Sequence, residues 1–255
     1  MFTKQIKKAI ATFIIAMVAV ISATLQADDY KIDIQVDLSG VNNPNLKASD
    51  FKFLVKGNKI GNANDSFMKF NQDGTFNSIV DAKMGDKSED FSISPTPVKN
   101  VITLKNVPQF SGRMYISIKY PMLLPVVTDK DSHIKVTDPA PGTDDSNYKT
   151  IYDKVELTFL ETDANTKKAT VWANTTAVDF ISLPIGVQMY DSKGNSLSDM
   201  VGITTKRDDF NSKCLTAFST GNMPDGSNAG TVSQEWKKCV ITTPVGAKLV
   251  FNCVS

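Results

Sequence analysis

Two short segments of this 255-residue chain each set one acid in strand-like surroundings. Residues 152–159 (YDKVELTF) contain Glu156, and residues 174–184 (NTTAVDFISLP) contain Asp179. Two carboxylates facing one groove are the minimum equipment for hydrolysing a glycosidic bond. Val155, Leu157 and Phe159 alternate with Lys154, Glu156 and Thr158, so Glu156 falls on the polar face of its strand. Residues 161–168 (ETDANTKK) read as a turn, and the chain returns through 169–173 as the second arm of an antiparallel hairpin. With that turn centred on residues 165–166, Glu156 lies across from about Thr175 or Thr176, and Asp179 sits ~10–13 Å further along an ideal strand. A bend after Asn174 brings the carboxylates into the ~6.5–9.5 Å separation of inverting glycosidases, and hardly to the ~5 Å of retaining ones. Spacing alone is equally compatible with a solvated acid and a turn residue. Any β protein of this size holds comparable pairs.

Little else in the chain offers chemistry. The single histidine, His133, stands beside Asp131 in a polar stretch and reads as a surface-loop residue rather than a member of a triad. With no Cys-x-x-Cys and one histidine, a thiolate–imidazole zinc site has no support. Residues 138–145 are rich in Asp, which suits calcium, but they lack the spacing and glycine of an EF-hand loop and read as solvated. No cofactor or metal is expected. Cys214, Cys239 and Cys253 allow one disulfide and leave one thiol, with the pairing open. A formal net charge of +1 gives no electrostatic footprint for nucleic acid or an anionic membrane, and suits a neutral polymer. Trp172, on the returning arm, reads equally as a core residue or as a face on which a sugar ring stacks; Trp236 reads as packing. Asn64 and Asn174 are formal glycosylation acceptors, and the segment Asn174-Thr175-Thr176 reads as unmodified structure.

The elements that must position the two acids are strands. Tyr30, Ile32, Ile34, Val36 and Leu38 alternate with polar residues, as in a half-buried strand. The pattern returns at residues 51–55, at 101–104, at Met114, Ile116, Ile118 and Tyr120, and at 170–173. Turn chemistry at 42–45, 71–74 and 94–97 separates these runs, which together indicate an antiparallel sandwich or barrel. Residues 137–147 (TDPAPGTDDSN) read as a long surface loop. From about Lys193 the alternation fades; residues 210–219 and 231–239 read as short helices, the second with a Thr231/Gln234 capping box.

The N-terminus reads as an export leader. Lys4, Lys7 and Lys8 precede an apolar run over residues 9–21, with cleavage expected after Ala27, or alternatively Ala23. The expected organisation is a leader over 1–27, a β domain over 28–192 carrying the groove, and a loop-and-helix portion over 193–255.

A run of Ser111-Gly112-Arg113-Met114-Tyr115-Ile116-Ser117, a Pro/Asp-rich loop, YDKVELTF and NTTAVDFISLP follow one another in that order. The series resembles glycoside hydrolase family 64, β-1,3-glucanases with a thaumatin-like barrel. The resemblance covers about residues 111–184. It implies a mainly β, thaumatin-like fold and an inverting, endo-type hydrolysis of β-1,3-glucan, with Glu156 as general acid and Asp179 as the base that activates water. It also implies that Thr158 and Asn174 line the sugar groove; Thr176 and Trp172 are substrate-binding candidates beside them. Two features depart from the family. Residues 160–170 form a longer connection than its usual tight turn, and family members continue beyond Trp236 into elements that complete one cleft wall. The expectation is therefore a secreted, monomeric, shortened glucanase. A glucan-binding module without catalysis, or an exported interaction protein of the same fold, is the alternative.

Overall fold

The computed structural model describes residues 15–21, 31–41, 45–59, 61–140, 142, 144–163, 168–175, 180–191, 193–203, 209, 212–213, 240–242 and 249–251. The strands in chain order begin with β1 (Ile15–Ile21), β2 (Ile32–Asp37), β3 (Phe51–Asn58), β4 (Ser66–Phe70) and β5 (Phe76–Asp81). They continue with β6 (Val101–Val107), β7 (Phe110–Ile118), β8 (Val126–Thr128), β9 (Ile134–Val136), β10 (Tyr152–Asp163) and β11 (Lys168–Asn174). The last are β12 (Phe180–Ile181), β13 (Ile185–Asp191), β14 (Val201–Gly202), β15 (Val240–Thr242) and β16 (Leu249–Phe251).

Two sheets carry the core. One has the order β14-β13-β1-β2-β6 and the other β11-β10-β7-β3-β4-β5. The β2 pattern behaves as alternation demands: Ile32, Ile34 and Val36 are wholly buried while Asp33, Gln35 and Asp37 are only partly covered. These residues meet Phe53 and Val55 of β3, Met114 and Ile116 of β7, and Val155, Leu157 and Phe159 of β10 in one apolar cluster. Both sheets contribute, so the body is a sandwich, antiparallel except where β1 meets β13, as the spaced alternating runs largely predict. The turn over residues 71–74 joins β4 to β5, with Gly74 at φ 82° donating its N–H to the Asn71 carbonyl at 2.9 Å.

The opposite face of the six-stranded sheet is divided in two. Over one half, Leu54, Phe67, Tyr115 and Tyr152 are covered by Met122, Leu124 and Val136 from the connection between β7 and β10. The β8–β9 hairpin of that connection is stitched down where Asp65 Oδ2 accepts the Val136 N–H at 2.9 Å and Asn64 Oδ1 accepts the Ile134 N–H at 2.8 Å. The other half is left open, and Glu156 lies there.

Two expectations change. Tyr120 does not continue the alternation of β7: the strand ends at Ile118, Lys119 turns at φ 67°, and Tyr120 is exposed. The loop over 137–147 is not simply solvated, because Asn147 is fully buried and exchanges bonds with Leu123, its Oδ1 accepting the Leu123 N–H and its Nδ2 donating to the Leu123 carbonyl, both at 2.8 Å. Residues 15–21, inside the expected leader, form β1, parallel to β13 and antiparallel to β2. Beyond residue 193, β14 pairs with β13, while β15 and β16 form a three-stranded sheet with β12. The helices expected at 210–219 and 231–239 fall on residues that lie almost entirely outside those described, as do all three cysteines and Trp236. Among the described residues no helix is long and apolar enough to cross a membrane.

Candidate active site

The open half of the sheet is organised by register. In antiparallel pairs, residues directly opposite each other share a face. Lys56 of β3, Arg113 of β7, Glu156 of β10 and Asn174 of β11 are opposite one another in one row; Asn58, Ser111, Thr158 and Trp172 form the next. Glu156 faces Asn174, not Thr175 or Thr176 as hairpin arithmetic predicts. The pairing of β10 with β11 shifts between Glu161 and Asp163, an irregularity that symmetric counting from the turn does not include.

The rows line a groove of about 360 Å³, bounded by Lys56, Asn58, Asp65, Arg113, Glu156 and Thr158, with Gly57 and Gly112 in its floor. Arg113 donates from Nε (2.8 Å) and Nη2 (2.6 Å) to Oε1 of Glu156. Both bonds fall on one oxygen, and among the described residues Oε2 is left for a bound molecule. The third arm of the same guanidinium, Nη1, pairs with Asp138 Oδ2. Asp138 also meets Lys56 Nζ at 3.0 Å and accepts the phenolic hydrogen of Tyr115. The acid read as solvated is therefore the centre of a part-buried polar network, because Asp138 reaches the Tyr115 hydroxyl, Lys56 and Arg113. Lys56 donates to the Val136 carbonyl at 2.5 Å, and burial pushes its ammonium down to about 8, opposed by the Asp65 carboxylate. Burial likewise raises the Tyr115 phenol.

Of the residues that sequence singles out, four gather here. Glu156 and Thr158 lie in the groove, with Thr158 Oγ1 2.9 Å from Ser111 Oγ. Asn174 is exposed opposite Glu156, and Trp172 is 54% exposed opposite Thr158, which removes the core reading for that ring. As a diagonal neighbour of Glu156 across the β10–β11 pair, Trp172 stands ~7–8 Å from it. Thr176 and Asp179 lie outside the described residues. Sequence reasoning passed over Arg113, Lys56 and Asp138 as site residues. For Arg113 a signal existed: it shares the polar face of β7 with Ser111, and a cation there needs an acid across the strand gap.

Gly57 and Gly112 are opposite each other where β3 and β7 run very close. A Cβ on Gly112 would stand 2.2 Å from the Lys56 carbonyl oxygen and 2.6 Å from the Gly57 Cα. Gly112→Val is expected to cost about 1–3 kcal/mol as the strands are forced apart. Thermal melts check this, and an unchanged melting temperature contradicts the packing argument.

His133 is part-exposed, its Nδ1 3.4 Å from Asp129 Oδ2 and its backbone N–H bonded to the same carboxylate. Asp131 joins them in an exposed turn, remote in sequence from the groove.

A sequence profile of a family described as β-1,3-glucanase, glycoside hydrolase 64, matches residues 34–248. No curated protein matches the chain. Among solved structures, a β-1,3-glucanase domain from Clostridium beijerinckii is similar with a TM-score of 0.56 at 16% identity, over 92% of this chain and 53% of that one. A laminaripentaose-producing β-1,3-glucanase in complex with laminaritetraose is similar with a TM-score of 0.57 at 15% identity, over 94% and 52% respectively. The chain thus spans about half the length of these two proteins, and at such identity the likeness concerns the fold.

Proposed function

Because the chain belongs to glycoside hydrolase family 64, the β-1,3-glucanases, we propose that it hydrolyses β-1,3-glucan by an inverting, endo-type reaction. Glu156 is the general acid and Asp179 the general base. The observation that carries this reading is the placement of Glu156 in an open groove, with Arg113 on one carboxyl oxygen and the other oxygen available. In that arrangement Oε2 carries the proton to the glycosidic oxygen. As the proton leaves, charge grows on a carboxyl group already bonded to a guanidinium, so Arg113 stabilises the transition state more than the starting acid. Asp179 removes a proton from the water that attacks the anomeric carbon from the opposite side. That one of the similar structures holds laminaritetraose supports a β-1,3-linked glucose chain as the occupant.

Thr158, Asn174 and Thr176 bond sugar hydroxyls in this reading, and Trp172 presents its ring to the apolar face of a pyranose. Trp172→Ala is expected to raise KM on laminarin about tenfold, a loss of about 1.4 kcal/mol, with kcat much less affected. A KM within twofold of the parent would remove Trp172 from the substrate path.

The protein acts outside the cytoplasm as a monomer, and two of its three cysteines pair; cleavage of residues 1–27 takes away β1, so in the exported chain β13 and β2 lose the strand that lies between them. The intact mass of the exported chain tests the leader, and counting one reactive thiol against three tests the disulfide. The activity itself is tested by incubating the purified exported chain with laminarin and resolving the products. Released oligosaccharides are expected. Retention on insoluble β-1,3-glucan without products would replace the hydrolase with a binding module, and neither signal would leave an interaction protein.

A further inference from the structure

The polar face of β10 holds Glu156; its apolar face holds a second acid that the proposed reaction does not use. Asp153 has the same parity as Val155, Leu157 and Phe159, and it is 5% exposed. Its Oδ1 accepts the N–H of Lys154 at 2.9 Å. Its Oδ2 accepts two more N–H groups, from Ser182 at 3.2 Å and Leu183 at 3.1 Å. Those donors are themselves buried and lie between β12 and β13. β10 belongs to the six-stranded sheet and β13 lies outside that sheet, so this carboxylate ties β10 to the chain that enters β13.

A carboxylate in an apolar core is costly to keep unless its hydrogen bonds require it there. The bonds it makes are to backbone, so their effect is positional: they fix where the chain leaves β12 and enters β13. The clamp stands three residues before Glu156 on one element and three residues after Asp179 on the other. Glycoside hydrolysis depends on the separation of the two carboxyl groups that act as acid and base, and a misplacement of about 1 Å costs on the order of a hundredfold in rate.

We infer that Asp153 is a positioning residue, which holds the Ser182–Leu183 backbone, three residues beyond Asp179 in sequence, to the strand that carries Glu156. The inference rests on the proposed roles of those two acids. Its electrostatics make it observable. Burial pushes the Asp153 carboxyl up to about 6, opposed by its three N–H donors and, less strongly, by the Lys154 ammonium. Ile116 of β7 lies opposite and is apolar. The clamp therefore changes its protonation where a hydrolase of this type would be assayed, between about pH 5 and 7.

Asp153→Asn removes the titration and leaves one oxygen where three N–H groups converge. With the exported chain on laminarin, the variant is expected to keep KM within about twofold. Its kcat should fall on the order of ten- to a hundredfold, and the limb of the pH–kcat profile near pH 6 should disappear. In the parent, the amide resonances of Ser182 and Leu183 should shift with a midpoint near 6, shared by that limb; this measurement needs no variant and stands if Asp153→Asn does not fold. A folded variant with the parent's kcat and pH profile overturns the inference, as do amides that do not titrate. Glu156→Gln and Asp179→Asn run alongside. If the parent releases no product, or if these variants keep parent activity, the functional reading falls and takes the clamp with it. A parent that needs both acids but is indifferent to Asp153 overturns the clamp alone.

Discussion

Glu156→Gln is expected to lower kcat on laminarin by about 10²–10⁴, the range that a positioned general acid contributes, while the melting temperature stays close to the parent's. Glutamine keeps the volume of the side chain and an oxygen that can accept from Arg113 Nε and Nη2, which now meet Oε1 of the acid at 2.8 and 2.6 Å. What it cannot do is release a proton. The loss should therefore depend on the leaving group. A sugar alkoxide departing from laminarin must be protonated, whereas an activated phenolate on an aryl β-1,3-oligoglucoside departs unaided. The variant is expected to retain most of its activity on the aryl substrate and almost none on laminarin. Equal losses on both would show that Glu156 shapes the groove and donates no proton. More than a tenth of parent activity on laminarin would remove it from the reaction altogether.

That expectation is built on a residue whose surroundings were only partly legible. Alternation in 152–159 placed Glu156 on the polar side, and the burial of Val155, Leu157 and Phe159 agrees, because a period of two is a local property of strands. The same rule puts Asp153 on the apolar side, yet a lone acid at the start of a strand reads naturally as solvent-facing. Only the donors at Ser182 and Leu183, about thirty residues on, explain why it is buried. Asp138 failed for the same reason in reverse. Its neighbours are Pro, Gly and Asp, which mark a loop, but the partners that draw it inward are Lys56, Arg113 and Tyr115 on two separate strands. Local composition carries no record of such contacts. Trp172 reads equally as core or surface because the register of β11 decides it, and that register depends on an irregularity at Glu161–Asp163 that no hydrophobic pattern encodes. Hairpin counting accordingly placed the partner of Glu156 one or two residues beyond Asn174. Pairwise order along the chain was readable; the side-chain network that turns a sheet face into a site was not.

Asp179→Asn should give the complementary pattern. A general base activates water whatever group is leaving, so kcat is expected to fall by about 10²–10⁴ on laminarin and on the aryl substrate alike. The cross-comparison separates the two roles more securely than either loss alone. An acid variant spares the activated substrate; a base variant spares neither. A small anionic nucleophile such as azide needs no deprotonation, and in the space left by the missing carboxylate charge it is expected to restore turnover of the aryl substrate to Asp179→Asn, giving a glycosyl azide of α configuration. The parent's first product from a β-linked chain should likewise be the α-anomer, seen by proton resonance before mutarotation. A β-anomer would mean two inversions and a covalent intermediate, hence carboxylates ~5 Å apart. Asp179 would then be a nucleophile, and azide delivered to its Asn variant would again give the α product. The anomer released by the parent, not the rescue, therefore decides between inversion and retention. Full activity of Asp179→Asn on both substrates would leave Glu156 without its partner and the proposed chemistry without a base.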